Sequence, residues 1–229
     1  MPEGVKVQGM FSQIASRYDL VNRILSLGMC VAWRNRLIQR AHEAQPKTVA
    51  DLATGSGDVA FALRQALPST SQIIGYDFCV PMLDLARQRA TQEKANVSFA
   101  TGDCMHLPIA DASVELVTIA YGVRNFENRS QGLQELHRIT QPGGQVLILE
   151  FSQPTLWLRP FHFMHVRCIL PVLAGLLTGD FKAYRYLGTS IRDFPDAPGL
   201  VEELKAAGFA KVSYESMLFG TIALHKAER

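Results

Sequence analysis

Val49-Ala50-Asp51-Leu52-Ala53-Thr54-Gly55-Ser56-Gly57-Asp58 is an apolar run that breaks into a Gly-x-Gly turn, and a second apolar run ends at Asp77, twenty positions after Gly57. A strand leading into such a turn lets a nucleoside cofactor approach the backbone closely, and a carboxylate ending the next strand can take both ribose hydroxyls. The pattern is that of a nucleoside-cofactor enzyme, and the details narrow the cofactor. A dinucleotide site wants a third glycine beneath the pyrophosphate; that position is Ala60, which the looser form of the motif allows. Asp51 before the turn and Asp58 closing it weigh more heavily, because carboxylates crowding a helix N-terminus repel a pyrophosphate. They suit a cationic cofactor, and S-adenosylmethionine carries a sulfonium and an ammonium group. The expected cofactor contacts in this stretch are Asp51, Thr54, Gly55, Ser56 and Gly57, with Asp77 on the ribose.

The 229 residues suffice for one large α/β domain, and 48% hydrophobic with 19% charged residues supplies a core and argues against disorder. A net charge of +2 makes no broad basic field, so nucleic acid is not the expected partner. Cys30, Cys79, Cys104 and Cys168 show no Cys-x-x-Cys spacing and read as reduced thiols of a cytosolic protein, with Cys30, Cys79 and Cys168 as small core hydrophobes. Met1 to Met10 has no apolar core of a signal peptide. His162 and His165 lack companions at metal-ligand spacing, so no metal site is expected.

Working outward from the opening stretch, strand-like runs fall at Thr48–Ala53, Gln72–Asp77, Val97–Thr101, Val114–Tyr121 and Gln145–Phe151, separated by helical patterns near 59–67, 80–92 and 129–140. This alternation predicts a mainly parallel sheet covered on both faces. Pro142-Gly143-Gly144 reads as the turn between the third of these helices and its strand, and Pro68 stops the first. A helix near 198–207 then leads to Lys211–Met217 and Thr221–His225, an expected antiparallel hairpin at a sheet edge. The chain divides into a helical N-terminal arm (1–45), a cofactor-binding core (46–152), a helical lid or substrate region (153–197) and a C-terminal helix and hairpin (198–229). The most apolar part of the lid, Cys168 to Leu177, is ten residues with Pro171 and Gly175 inside, too short to span a bilayer. Trp157, Phe161, Phe163, Arg159 and Arg167 are compatible with a core helix pair, with an entrance for a long apolar substrate, or with a helix resting on a membrane surface.

Phe-x-x-Ile-Ala-Ser-Arg-Tyr-Asp at 11–19, Asp-Leu-Ala-Thr-Gly-Ser-Gly-Asp at 51–58, Asp77 with Met82-Leu83, Tyr-Gly-Val-Arg-Asn at 121–125, Gln141-Pro142-Gly143-Gly144, Leu-Glu-Phe-Ser at 149–152 and Tyr-Arg-Tyr-Leu-x-x-Ser-Ile-Arg at 184–192 together resemble the menaquinone and ubiquinone C-methyltransferases. The resemblance runs from about residue 10 to 226. It implies the seven-stranded, Rossmann-like class I fold of S-adenosylmethionine-dependent methyltransferases, with a helical arm and insertion. It also implies a polyprenylated quinol substrate and a cytoplasmic protein that associates peripherally with the membrane. It places adenine contacts at Asp103 and Cys104, where the alternative is a plain Asp turn, and a cofactor contact at Ala120. Two departures from the family pattern stand out: Ala53-Thr54-Gly55-Ser56-Gly57 replaces a Gly-Gly-Thr-Gly or Gly-Gly-Ser-Gly turn, and Ala120 replaces a frequent serine. Both swaps are small and bear on fine contacts.

Methylating a ring carbon requires electron density there, which a quinol supplies once its phenolic proton is removed or polarised. A cation or hydrogen-bond donor near the phenolic oxygen is therefore needed. Arg124, in the loop after the fourth strand, is the candidate, with Asn125 beside it and Tyr18 and Asp19 on the arm as further candidates; Asp19 or water would take the proton. The alternative for Arg124 is an ion pair that shapes the loop. Demethylmenaquinol is the preferred substrate, with a 2-methoxy-6-polyprenyl-benzoquinol as the second choice. A nucleic-acid methyltransferase would share the cofactor site, but Ala120-Tyr121-Gly122-Val123-Arg124-Asn125 lacks the Asn/Asp-Pro-Pro-aromatic grip on a flipped base. A non-catalytic protein on the same fold is opposed by the intact acidic and glycine positions. The sequence leaves monomer and homodimer both open.

Overall fold

The computed structural model describes residues 26, 28–155, 157–164, 175 and 181–229. Helix α1 (Met29–Ala44) precedes an alternating core of β1 (Thr48–Leu52), α2 (Asp58–Ala66), β2 (Gln72–Asp77), α3 (Val80–Glu93), β3 (Ser98–Thr101), β4 (Val114–Ala120), α4 (Arg129–Ile139) and β5 (Thr140–Phe151). Helices α5 (Arg159–Met164), α6 (Phe181–Asp193) and α7 (Ala197–Ala206) follow, and β6 (Lys211–Met217) and β7 (Ile222–Glu228) close the chain. The seven strands form one sheet in the order β3-β2-β1-β4-β5-β7-β6. The first five are parallel and the β6–β7 hairpin is antiparallel at the edge.

Strand composition follows position in the sheet. In β4, Val114, Leu116, Val117 and Ile119 are buried, as are Val146, Leu147, Ile148 and Leu149 of β5; a strand covered on both faces reads as a continuous apolar run. β6 at the edge alternates exposed and half-buried residues and carries Lys211 and Glu215, charges that discourage edge-to-edge pairing. One face of the sheet buries Leu133, Leu136 and Ile139 of α4 with Leu200 and Leu204 of α7. The opposite face buries Leu37, Ile38 and Ala41 of α1 with Val59, Phe61 and Leu63 of α2. Two helices begin on side-chain caps: Asn128 Oδ1 accepts from the Gln131 N–H (3.1 Å) and Asp196 Oδ1 from the Gly199 N–H (3.0 Å).

One expectation needs correction. Pro142-Gly143-Gly144 does not end ahead of the strand but lies inside β5, where the register jumps from Val114↔Thr140 to Leu116↔Gln145. The extra residues bulge out, Gly143 at φ 77° donating to the Arg229 carbonyl (2.9 Å) while the Arg229 N–H donates to Gly144 O (3.1 Å). The turn chemistry is as read, but the C-terminus pairs with it and keeps it in the sheet.

Sheet order puts β1 between β2 and β4, whose connections leave in opposite directions. The crevice at the carboxyl ends of β1 and β4 is where such sheets bind ligands.

Candidate active site

That crevice holds a cavity of ≈ 230 Å³, walled by the β1–α2 turn, the ends of β2 and β3, and the segment after β4. Of the residues expected at the cofactor, Asp51, Thr54, Gly55, Ser56, Asp77, Asp103, Cys104 and Ala120 line it. Gly57 sits just behind as the N-cap of α2 at φ 88°, and an added Cβ would stand 2.7 Å from the Phe61 ring and 2.8 Å from Phe99. A glycine is needed there for both conformation and space. Gly75 in β2 makes a similar allowance, since a Cβ would meet Phe99 at 2.7 Å and Thr54 Oγ1 at 2.8 Å. Its role was not legible in the sequence, because it depends on β2 lying between β1 and β3.

The floor of the cavity is acidic. Asp51 is 1% exposed, and its two oxygens accept from the Thr118 hydroxyl (2.7 Å) and the Thr54 hydroxyl (2.5 Å). Burial lifts its carboxyl to about 7, against the pull of those two hydroxyls and with a further push from Asp77. Asp77, at the end of β2, accepts from the Gly55 N–H and the Cys79 N–H, each at 2.8 Å. Burial raises it as well, opposed by these backbone donors. Its hold on Gly55 ties the carboxylate to the Gly-x-Gly turn, so the end of β2 and the turn are one construction.

Asp58 departs from expectation. It lines the cavity, as its place in the turn implies, but it is not offered to a cationic ligand alone: its two oxygens are taken by Arg34 of α1 and Arg89 of α3, the latter at 2.7 Å. Arg89 also lies 4.3 Å over the Phe61 ring. Asp58 therefore serves to clamp two helices around the cofactor turn. Asp103 is exposed, and its Oδ1 accepts from the Met105 N–H at 2.9 Å, a local Asp turn beside the cavity. Cys104 is buried, which raises its thiol well above the ordinary range and leaves it an unreactive wall of the slot. Cys79 is a buried core hydrophobe, as expected, that also borders the cavity; Cys30 is only half-buried and lines the cavity, and Cys168 lies outside the described residues.

After β4 the chain turns sharply at Tyr121, φ 59°, into a 3-10 turn at Val123–Asn125. Arg124 and Asn125 then part company. The Arg124 side chain is 3% exposed and its Nη1 donates to Glu150 Oε1 at 2.8 Å; Glu150, fully buried near the end of β5, also accepts from the Arg124 N–H at 3.2 Å. The guanidinium sits 5.2 Å from the Phe151 ring centre. Asn125 lines the cavity and Arg124 is not among the described residues that do. Asn125 Oδ1 accepts from the Tyr186 hydroxyl of α6 at 2.9 Å. Tyr18 and Asp19 lie outside the described residues. Glu150 and Tyr186 were within stretches singled out in the sequence, Leu-Glu-Phe-Ser and Tyr-Arg-Tyr-Leu, without a role being attached to either.

The site fits S-adenosylmethionine on its own chemistry. A turn that excludes Cβ atoms gives backbone access, Asp77 offers carboxylate oxygens at a β2 end, and two buried carboxylates make the floor favourable for a cation. No group of three or more His, Cys, Asp or Glu side chains poised for a metal occurs among the described residues.

Comparison with known proteins agrees with this geometry. The model of the ubiE/COQ5 methyltransferase family matches residues 2–229. A demethylmenaquinone methyltransferase of Thermus thermophilus is 42% identical over 221 residues, covering 96% of this chain and 100% of that one. A ubiquinone/menaquinone biosynthesis C-methyltransferase of Geotalea daltonii is 36% identical, covering 99% and 97%. Among solved structures, an S-adenosylmethionine-dependent methyltransferase from Methanococcus maripaludis described as putative superposes with a TM-score of 0.67 at 18% identity, over 95% of this chain and 93% of that one. Fold, acidic cofactor floor and a match along nearly the whole length converge: this chain belongs to the ubiE/COQ5 methyltransferase family.

Proposed function

We propose that this S-adenosylmethionine-dependent methyltransferase C-methylates the ring of a polyprenylated quinol, with demethylmenaquinol as the preferred substrate. The observation that carries the reading is the near full-length match to family members named for that reaction, laid over a cavity whose floor is the Asp51–Asp77 pair. Bound there, the cofactor supplies an electrophilic methyl on a sulfonium. The chain's own residues do the rest. Asp77 would hold the ribose hydroxyls, Asp51 would balance the cationic end, and Met82, Phe78 and Cys104, which line the same cavity, would pack on the adenine. Ala120 and Asn125 flank the opening on the β4 side, where the ring carbon must approach.

Asn125 lines that opening with an uncharged amide that can donate, unlike the neighbouring Glu127 carboxylate, so it is assigned to hydrogen-bond the phenolic oxygen as charge develops. Arg124 contributes by holding the turn through Glu150 and Tyr121 O, and by placing its positive charge beside the same loop. Asp19 on the arm, or water, remains the assigned proton acceptor, with Tyr18 a further candidate to contact the substrate.

A polyprenyl substrate resides in lipid, and we assign the exposed Trp157, Phe161 and Met164 near α5 to contact with the membrane surface. Among the described residues, no helix is long and apolar enough to cross a bilayer. The test is an anaerobic assay of the purified chain with S-adenosylmethionine and two reduced substrates, demethylmenaquinol and a 2-methoxy-6-polyprenyl-benzoquinol. Methylation of the naphthoquinol at the higher kcat/KM is expected. Preference for the benzoquinol would move the assignment to ubiquinone synthesis, which the two-pathway name of the Geotalea relative accommodates. Turnover of neither would overturn it.

A further inference from the structure

Helix α6 reaches the segment after β4 that walls the cavity. Its middle is Tyr186, whose hydroxyl donates to Asn125 Oδ1 at 2.9 Å. Its C-terminal end is pinned by Gln153, which follows β5: the Nε2 group donates to the carbonyls of Ile191 (2.9 Å), Arg192 (3.2 Å) and Phe194 (3.0 Å). The first two lie in the last turn of α6, where a helix leaves carbonyls short of internal partners, and among the described residues the Ile191 carbonyl otherwise receives only a long 3.4 Å bond from the Phe194 N–H. Ile191 and Phe194 are buried beside them. The helix is thus anchored at its end to the segment that follows the strand carrying Glu150, and Tyr186 gives it a polar contact with the cavity wall.

That contact has a direction. Burial pushes the Tyr186 phenol above its ordinary range; Arg124 pulls it down and Glu150 raises it further, so all three groups share one neighbourhood. A phenol that stays protonated is a donor, and the end of the amide it holds is therefore the oxygen. The amide nitrogen of Asn125 is left on the other side, where it makes a long 3.5 Å contact with Tyr121 O. An amide nitrogen carries two N–H groups, so one remains to face a ligand at the opening.

We propose that Tyr186 is a positioning residue for methyl transfer: its hydroxyl, reaching from α6, locks the Asn125 side chain so that its N–H end meets the substrate's phenolic oxygen. This rests on the quinol methyltransferase reading above. Without the hydroxyl, the amide is free to rotate and to present its oxygen, an acceptor that repels a developing phenolate. The contribution is made in the transition state, so it acts on kcat rather than on cofactor binding.

The experiment is a double-mutant cycle in the full chain, using wild type, Tyr186→Phe, Asn125→Ala and the double variant. It is run on whichever of the two reduced quinols wild type turns over, with S-adenosylmethionine affinity measured by calorimetry. Tyr186→Phe keeps the ring packing and should lower kcat by roughly three- to tenfold, as for loss of one hydrogen bond, with KM and cofactor affinity within twofold of wild type. In the Asn125→Ala background the same change should have no further effect. Equal losses in both backgrounds, or a Tyr186→Phe kcat within twofold of wild type, would overturn the proposal. Turnover of neither quinol by wild type would instead overturn the functional reading and the proposal with it.

Discussion

Replacing Asp51 by Asn tests how the cofactor floor is built. The carboxyl is lifted by burial from its ordinary 3.8 to about 7 in the folded protein. The folded state therefore holds a proton that the unfolded chain has already released between those two values, and stability from this group falls as pH rises through that window. The full displacement corresponds to about 4 kcal/mol, and the part that falls between pH 5 and 7 to about 3 kcal/mol. Asn keeps the shape and can still pair with the Thr54 and Thr118 hydroxyls, but carries no charge to bury. Relative to wild type, Asp51→Asn should thus gain stability as pH is raised from 5 to 8. For a chain of this size that is a widening of the Tm difference by roughly 5 to 10 °C. Differential scanning calorimetry without cofactor measures it directly. The same variant should bind S-adenosylmethionine more weakly, and most clearly above pH 7, where wild-type Asp51 is ionised. A Tm difference that stays constant from pH 5 to 8 would show that Asp51 is not a strained carboxylate, and the electrostatic account of the floor would be wrong.

Asp77→Ala should weaken S-adenosylmethionine about ten- to a hundredfold by calorimetry in a folded protein, the loss expected for charge-assisted hydrogen bonds to the ribose; unchanged affinity would move the ribose contact elsewhere. Gly57→Ala should cost about 1–3 kcal/mol in chemical denaturation, because a Cβ at φ 88° must displace the Phe61 or Phe99 ring, and an unperturbed midpoint would contradict the crowding. Arg124→Ala should cost about 3–5 kcal/mol by stranding the buried Glu150, and adding Glu150→Gln should return part of that stability; a single variant as stable as wild type would return Arg124 to the role of a free catalytic cation. Liposome co-sedimentation should fall for a Trp157→Glu, Phe161→Glu variant, and no difference from wild type would confine those side chains to packing.

The features legible in the sequence are those that depend on near neighbours along the chain. Asp51, the Gly-x-Gly turn and Asp77 were readable because a strand, a tight turn and the next strand end specify one another locally. The β6–β7 hairpin was readable for the same reason, its first strand falling at Lys211–Met217 as expected. What escaped is what the sheet order brings together. Arg124 and Glu150 lie twenty-six residues apart and meet only because β4 and β5 pair in parallel; the sequence offered an ion pair as an alternative for Arg124 but no partner. Asp58 looked available because its partners, Arg34 and Arg89, belong to helices on either side of it in sequence. Gly75 looked like an unremarkable strand residue, although Thr54 and Phe99 leave no room for a Cβ.

The distribution of charge around the cavity explains why Asp58 and its neighbours behave so differently. Three carboxylates stand around the cofactor turn, Asp51, Asp58 and Asp77. Asp58 is partly exposed and is held in two ion pairs, so its charge is spent before any ligand arrives. Asp51 and Asp77 are held by hydroxyl and backbone donors, which orient them without neutralising them. Burial raises both, and Asp77 pushes the Asp51 carboxyl further, so the floor sets two like charges close together. A cation lowers that cost, whereas a pyrophosphate would add to it. The sequence expectation of a sulfonium nucleoside rather than a dinucleotide thus finds its physical support less in the missing third glycine than in Asp51 and Asp77, which form no ion pair among the described residues.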